Sequence, residues 1–218
     1  MEPDVNSTHS PAAASLPDAS AANGEHLQPG GAWRASIVFA CVVMACFGLL
    51  YSFAGAGLGR VLFPEQAQGS LIVREGTVVG SALVPQPFTD DRYFASRPSA
   101  ANYDPMAAAG SNQARSNPEL RKRVNEAVAA VAAREGVSPA EVPGDLVTQS
   151  GGGLDPHISP AAARIQMARV ARARGLDVAV VRNAVDAHVE APQYGLLGQP
   201  RVNVLELNLA LDTLQSEP

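Results

Sequence analysis

An α+β protein, with a single N-terminal transmembrane helix followed by one mixed α+β soluble domain, is the fold class that this 218-residue chain predicts. Three observations lead there. From Ala35 to Gly59 no residue is charged, and Arg34 and Arg60 bound the run. At ~1.5 Å rise per residue it makes roughly 38 Å of helix, more than the roughly 30 Å core of a bilayer. Short β-branched segments come next and capped amphipathic helices after them, an order that indicates α+β.

The chain divides accordingly into a tail over 1–33, a transmembrane helix over 35–59 and an α+β accessory domain over 62–218. The tail is rich in Ala, Ser, Pro and Gly and nearly empty of large apolar side chains. It cannot bury enough surface to offset the entropy of ordering, so it is expected to be disordered. Within the apolar run, Cys41, Ala45, Gly48, Ser52, Gly55 and Gly59 step by 4, 3, 4, 3 and 4. That spacing lines up six small side chains as a partner-helix face, where close van der Waals approach drives association in lipid. Ala54-Gly55-Ala56 also fits a signal-peptidase site, but the apolar stretch before it exceeds the usual 7–15 residues and favours a permanent anchor. Cys41 and Cys46 lie about 140° apart on a helix and suit neither a disulfide nor a shared metal.

After the anchor, Pro64 ends the helix. Leu71–Val73 and Thr77–Val84 suit two short strands with Glu75-Gly76 at the bend. The stretch from Pro85 to Ser116, full of Pro, Asn, Ser and Tyr, reads as a long loop of the kind that is usually functional or docked on a partner. Asn117-Pro118, Ser138-Pro139 and Ser159-Pro160 each pair an N-cap residue with Pro at the first helical position. One helix carries Leu120, Val124, Val128 and Val131 on a stripe, and another runs from Pro160 to Arg174 and stops at Gly175. A third spans Asp177–Glu190 with Val178, Val181, Val185 and Val189 inward; the last, Val204–Leu214, stacks Val204, Leu207, Leu211 and Leu214.

Composition excludes several functions. A net charge of −5 gives no support for nucleic-acid binding, which needs a basic surface. Lys122 is the only lysine and follows an arginine, so the chain has no P-loop. His9, His26, His157 and His188 show no metal-ligand spacing, and neither a metal site nor a catalytic motif is expected. Two features stay open. Asp155 and His157 share a loop, which allows a membrane-anchored enzyme as the alternative reading. Gly151-Gly152-Gly153 beside His157 is a nucleotide-binding candidate, since a glycine run can wrap a phosphate, although a flexible loop before a capped helix is the simpler reading. Arg164, Arg169, Arg172, Arg174 and Arg182 scatter around their helices and read as solvated faces.

Further blocks carry a resemblance. Gln66-Ala67-Gln68-Gly69-Ser70-Leu71-Ile72, Gly80-Ser81-Ala82-Leu83, Tyr93-Phe94 and Arg97-Pro98-Ser99-Ala100 come first. Gly110-Ser111-Asn112, Ser116-Asn117-Pro118, Gly153-Leu154-Asp155, Ile158-Ser159-Pro160 and Arg169-Val170-Ala171 follow. Gly198-Gln199-Pro200 and the run from Val202 to Asp212 close the series. In this order they resemble the C subunits of the bacterial Kdp potassium-transporting P-type ATPase.

The resemblance implies a non-catalytic accessory subunit of a high-affinity potassium uptake complex. Its implied partners are a channel-like potassium-binding subunit, a P-type ATP-hydrolysing subunit, a small single-span subunit and membrane lipid. The implied role is to stabilise assembly and act as a catalytic chaperone that raises the ATP affinity of the hydrolysing subunit. The resemblance implies no covalently bound cofactor and, if ATP is involved, ATP reached through the complex. The implied location is the bacterial inner membrane, with the C-terminal domain extracytoplasmic. Members of the family usually begin just before the membrane helix, so the tail is an addition to their pattern.

Overall fold

A computed structural model describes residues 29–216. Most of the tail expected over 1–33 therefore lies outside the described residues, as do His9 and His26. The described residues form two compact units that divide between Ala56 and Gly57.

The apolar run is helical throughout. Helix α1, Pro29–Val43, passes through a π-helical segment, Met44–Leu50, into α2, Tyr51–Leu62. Ala32–Leu62, 31 residues, is the one stretch among those described that is long and apolar enough to cross a membrane. In the wider π turn the Tyr51 N–H donates to the Cys46 carbonyl, five residues back. Of the six small residues, Cys41 lies in α1, Ala45 and Gly48 in the π segment, and Ser52, Gly55 and Gly59 in α2. A Cβ added at Gly48, Gly55 or Gly59 would meet nothing within 4 Å, so this face is unfilled by the described residues.

A short helix, α3 (Pro64–Ala67), follows, and then an antiparallel hairpin of β1 (Leu71–Arg74) and β2 (Thr77–Ser81). Glu75 and Gly76 both have positive φ, 49° and 78°, as a two-residue turn matching the strand twist requires. The second strand ends at Ser81 rather than Val84, where the Ser81 Oγ turns back to the Gly69 carbonyl at 2.7 Å.

The core is built around α5 (Pro160–Arg174), with Ala162, Ala163, Val170 and Ala171 fully buried. Its alanines leave room for Val181 and Val185 of α6 (Val178–Ala187) and for Leu207 and Leu211 of α7 (Val204–Ser216), all at 0% exposure. Val178 and Leu214, expected inward, are 39% and 45% exposed because each sits at a helix end beyond the packed turns. Helix α4, Pro118–Glu135, shows the expected stripe only half-buried, with Ala132 and Glu135 as its buried residues.

A second sheet, of order β3-β5-β4, was not legible: β3 (His157–Ile158), β4 (Val189–Glu190) and β5 (Arg201–Asn203) are each two or three residues long. Val189 and Glu190, assigned from the sequence to the third helix, belong to β4. Strand β5 runs straight into α7. Asn203 pairs with His157 in the sheet, accepts the Leu205 and Glu206 N–H groups as N-cap, and donates to the Ala82 carbonyl at 2.8 Å.

A further expectation needs correction. Ser138-Pro139 starts only a 3-10 turn, Pro139–Glu141, because Pro143 removes a donor and disfavours helix at Val142. The first half of the 85–116 loop lies on the chain's own α5 and α7. Gln166 accepts from the Ala95 N–H, Asn208 brackets the Phe94 peptide groups, and Arg174 donates to the Arg92 carbonyl at 2.6 Å. These helices supply polar partners for the backbone of that half. Beyond Asp104 the loop is mostly exposed, with Met106 at 93%.

Candidate functional site

Asp155 and His157 meet in a cleft of about 520 Å³ with Arg97, Asp145, Ser159, Gln199 and Arg201. Each is placed by a local rule. Asp155 folds back so that its Oδ1 accepts the His157 N–H at 3.0 Å, an Asx turn that starts β3. Ser159 caps α5 by accepting the Ala162 N–H at 3.0 Å. Asp145 in turn accepts the Ser159 N–H at 2.6 Å. Glu190 and Arg201 are cross-strand neighbours in β4 and β5, and their side chains pair at 2.8 Å.

The result is a ladder of alternating basic and acidic side chains. Arg97 donates to Asp155 at 2.8 Å, and His157 stands 3.6 Å from Asp155 and 3.9 Å from Glu190. Burial pushes the Asp155 carboxyl up. The nearby His157 ring, the His157 backbone N–H and the Arg97 guanidinium pull it down by more, to about 2. A carboxylate held that low is a weak general base and no acid at neutral pH. The one hydroxyl in the cleft, on Ser159, is engaged with Asp145 and the α5 cap. These groups brace one another across two loops and a sheet edge, an arrangement with neither an acid–base pair nor an activated nucleophile.

The glycine run is braced as well. The Gly153 N–H donates to the Ser150 carbonyl and the Gly153 carbonyl accepts from Ser99 Oγ at 2.6 Å. Gly153 has φ +73°, and a Cβ there would stand 2.7 Å from the Ala109 carbonyl oxygen. This glycine serves a close approach of two backbone segments. Gly151 and Gly152 are exposed and border a shallow hollow with Leu154 and Asp155, while His157 faces the other cleft.

Two of the five arginines are not solvated. Arg169 and Arg174 are 4% and 6% exposed. Arg169 donates through Nε to both Glu135 oxygens, through Nη1 to the Asp91 and Tyr93 carbonyls, and through Nη2 to Gln166. Arg174 pairs with Asp212 at 2.8 Å and lies over the Tyr93 ring. Apart from Gln166, their partners stand tens of residues away in sequence, so helical periodicity could not reveal them. Arg164, Arg172 and Arg182 are exposed, as expected.

Sequence reasoning missed the most conspicuous surface feature. Between β4 and β5 the chain projects a tip in which Tyr194, Leu196 and Leu197 are 85%, 86% and 62% exposed. Gln193 and Leu197 bridge its base, and Tyr194 and Gly195 take positive φ of 56° and 74°. No charged residue occurs from Ala191 to Pro200. That ten-residue uncharged stretch was the available signal. The tip's base, Gln199 to Arg201, forms one wall of the Asp155–His157 cleft, so an apolar anchor stands beside a polar rim. Protein interfaces have this anatomy.

Comparison with known proteins agrees with the blocks quoted above. Residues 33–213 match the family described as K+-transporting ATPase, c chain. The chain is 58% identical over 186 residues to the potassium-transporting ATPase KdpC subunit of Xanthomonas campestris pv. campestris, covering 85% of this chain and 89% of that protein. It is 51% identical over 179 residues to the subunit of the same name from Shewanella putrefaciens, with 82% and 87% covered. The KdpC subunit of Caldanaerobacter subterraneus is 48% identical over 182 residues, with 82% and 93% covered.

Proposed function

This chain belongs to the K+-transporting ATPase c chain family, KdpC, and on that premise we propose that it is the non-catalytic accessory subunit of an ATP-driven potassium uptake complex in the bacterial inner membrane. The observation that carries the reading is a match that runs through the membrane helix and the domain alike, residues 33–213. The geometry supports it: the histidine–carboxylate cleft is braced rather than catalytic, and the Tyr194–Leu197 tip leaves an apolar anchor uncovered.

In this reading the subunit holds together a channel-like potassium-binding subunit, a P-type ATP-hydrolysing subunit and a small single-span subunit. The six small residues from Cys41 to Gly59 pack against a neighbouring membrane helix, and the tip seats in a subunit on the extracytoplasmic side. A domain there raises ATP affinity across the membrane, as a coupling free energy of about 1–3 kcal/mol passed through the helices. Gly151–Gly153 and His157 then need no nucleotide of their own.

The test is recovery of partners with a tagged chain from bacterial membranes in mild detergent, read by mass spectrometry. A P-type ATPase and a multi-span potassium-binding protein should come with it. Tyr194→Ser with Leu196→Ser should cut their recovery several-fold without moving the melting temperature of the chain. Recovery of the chain alone, from cells shown to make those partners, would overturn the reading.

A further inference from the structure

We propose that the outer face of the β1–β2 hairpin, formed by Leu71, Val73 and Val78, rests in the lipid headgroup boundary of the membrane that the N-terminal helix enters. The inference rests on the membrane-spanning reading of Ala32–Leu62.

The face is apolar and uncovered. Leu71, Val73 and Val78 are 52%, 57% and 55% exposed, and Val73 and Val78 are direct cross-strand partners. The opposite face is tied to the domain. Arg74 donates to the Leu209 carbonyl at 2.7 Å and to Thr213 Oγ1, Gln86 donates to the Val79 carbonyl at 2.8 Å, and Leu205 crowds Gly80. With Arg74 turned inward and Glu75 confined to the tip, the outer face carries no charge.

Its position along the chain selects the occupant. Only residues 63–70 separate α2 from β1, and they hold no slack. The Phe63 N–H donates to the Gly59 carbonyl, Ala67 to Phe63, Ser70 to Glu65, and Ala82 to Ser70, all between 2.8 and 3.0 Å. A continuous ladder of hydrogen bonds thus runs from the last turn of the membrane helix to both strands. Fully extended, eight residues would reach at most roughly 28 Å, and the α3 turn shortens that span. The hairpin is tied to Gly59–Leu62, the last turn of that helix and part of the same compact unit.

Three half-exposed aliphatic side chains are small beside the roughly 800 Å² per partner of a stable protein interface. They also lack the aromatic anchor and polar rim found at the Tyr194 tip. Aliphatic surface without directional groups suits lipid, where burial depth matters and geometry does not.

The experiment uses the full chain in vesicles of phosphatidylethanolamine and phosphatidylglycerol, with Trp33→Phe removing the only tryptophan. Single tryptophans are placed by Val73→Trp, Val78→Trp and Met106→Trp, the last as a water-exposed control. Brominated acyl chains should quench the two hairpin probes at least twofold, while iodide present on both sides of the bilayer quenches only the control. A Val73→Cys variant, in a Cys41→Ala, Cys46→Ala background and carrying a small environment-sensitive dye, should give the same depth reading and guards against bias from tryptophan. Hairpin probes quenched by iodide and insensitive to bromolipid would overturn the proposal. So would probes that become shielded only when the other transporter subunits are co-purified, which makes the face a protein interface. Alkaline carbonate extraction reads the anchor separately: a chain washed out of the vesicles removes the membrane reading and the proposal with it, whereas a retained chain with wet probes removes the proposal alone.

Discussion

Asn208 grips both peptide groups of Phe94: its Oδ1 accepts the Phe94 N–H at 2.8 Å and its Nδ2 donates to the Phe94 carbonyl at 3.0 Å. Both residues are fully buried. One side-chain amide on α7 therefore does for the 91–96 segment what a neighbouring strand does in a sheet. Gln166 repeats the device at Ala95, with its Oε1 accepting the Ala95 N–H at 2.8 Å.

Asn208→Ala should cost about 2–6 kcal/mol, because it strands a buried donor and a buried acceptor at roughly 1–3 kcal/mol each. Urea unfolding of the full chain in detergent gives the number. A loss below about 1 kcal/mol would mean that water takes over both bonds.

The Arg169–Glu135 pair should show strong coupling. Glu135→Leu alone leaves a buried guanidinium with only the exposed Asp91 carboxylate, 3.9 Å away, and should cost about 3–5 kcal/mol. Arg169→Met added to it should cost less than the sum of the two single changes, although more than nothing, since Arg169 also holds the Asp91 and Tyr93 carbonyls. A double-mutant cycle measures the coupling, and faster proteolysis near Asp91 should accompany every variant lacking Arg169.

Such long-range pairings mark where sequence reading stops. The helix from Asn117, the Pro160–Gly175 helix with its cap and stop, and the Glu75-Gly76 bend were legible because capping and turn chemistry act within four residues. The two-residue strands β3 and β4 were not, since no periodicity can register over two positions. Among the site residues, Asp155 and His157 were visible as a pair. Arg97, Glu190 and Arg201 join them only when two loops and a sheet edge converge, and that convergence turns an apparent catalytic pair into a brace.

Acid should weaken the fold partly through Asp155. Its folded carboxyl sits at about 2 against 3.8 for the free group, so the unfolded chain binds the proton more tightly. The stabilisation is fully present above about pH 4 and is lost as pH falls through about 2. Allowing for its partial exposure it is on the order of 1–2 kcal/mol. Asp155→Asn should flatten the stability curve between pH 4 and pH 2; an unchanged slope would remove Asp155 from the acid response.

Gly153 and Gly175 share nearly the same left-handed φ, 73° and 67°, in different surroundings. Gly175→Ala meets nothing within 4 Å and should cost only the roughly 1 kcal/mol of placing a Cβ in that conformation. Gly153→Ala also drives its Cβ toward the Ala109 carbonyl and should cost at least about 2 kcal/mol more, close to an overpacked core position. Thermal melts of the two variants side by side separate conformational strain from collision.

Asn203 has a mechanical consequence. The residue belongs at once to the sheet, to the cap of α7 and, through Ala82, to the end of the hairpin. Strand becomes helix there without an intervening residue to bend. A push on the hairpin therefore reaches the second sheet and the start of α7 through the Asn203 side chain, and α7 again through Arg74, so those three parts travel as one lever rather than flexing against each other.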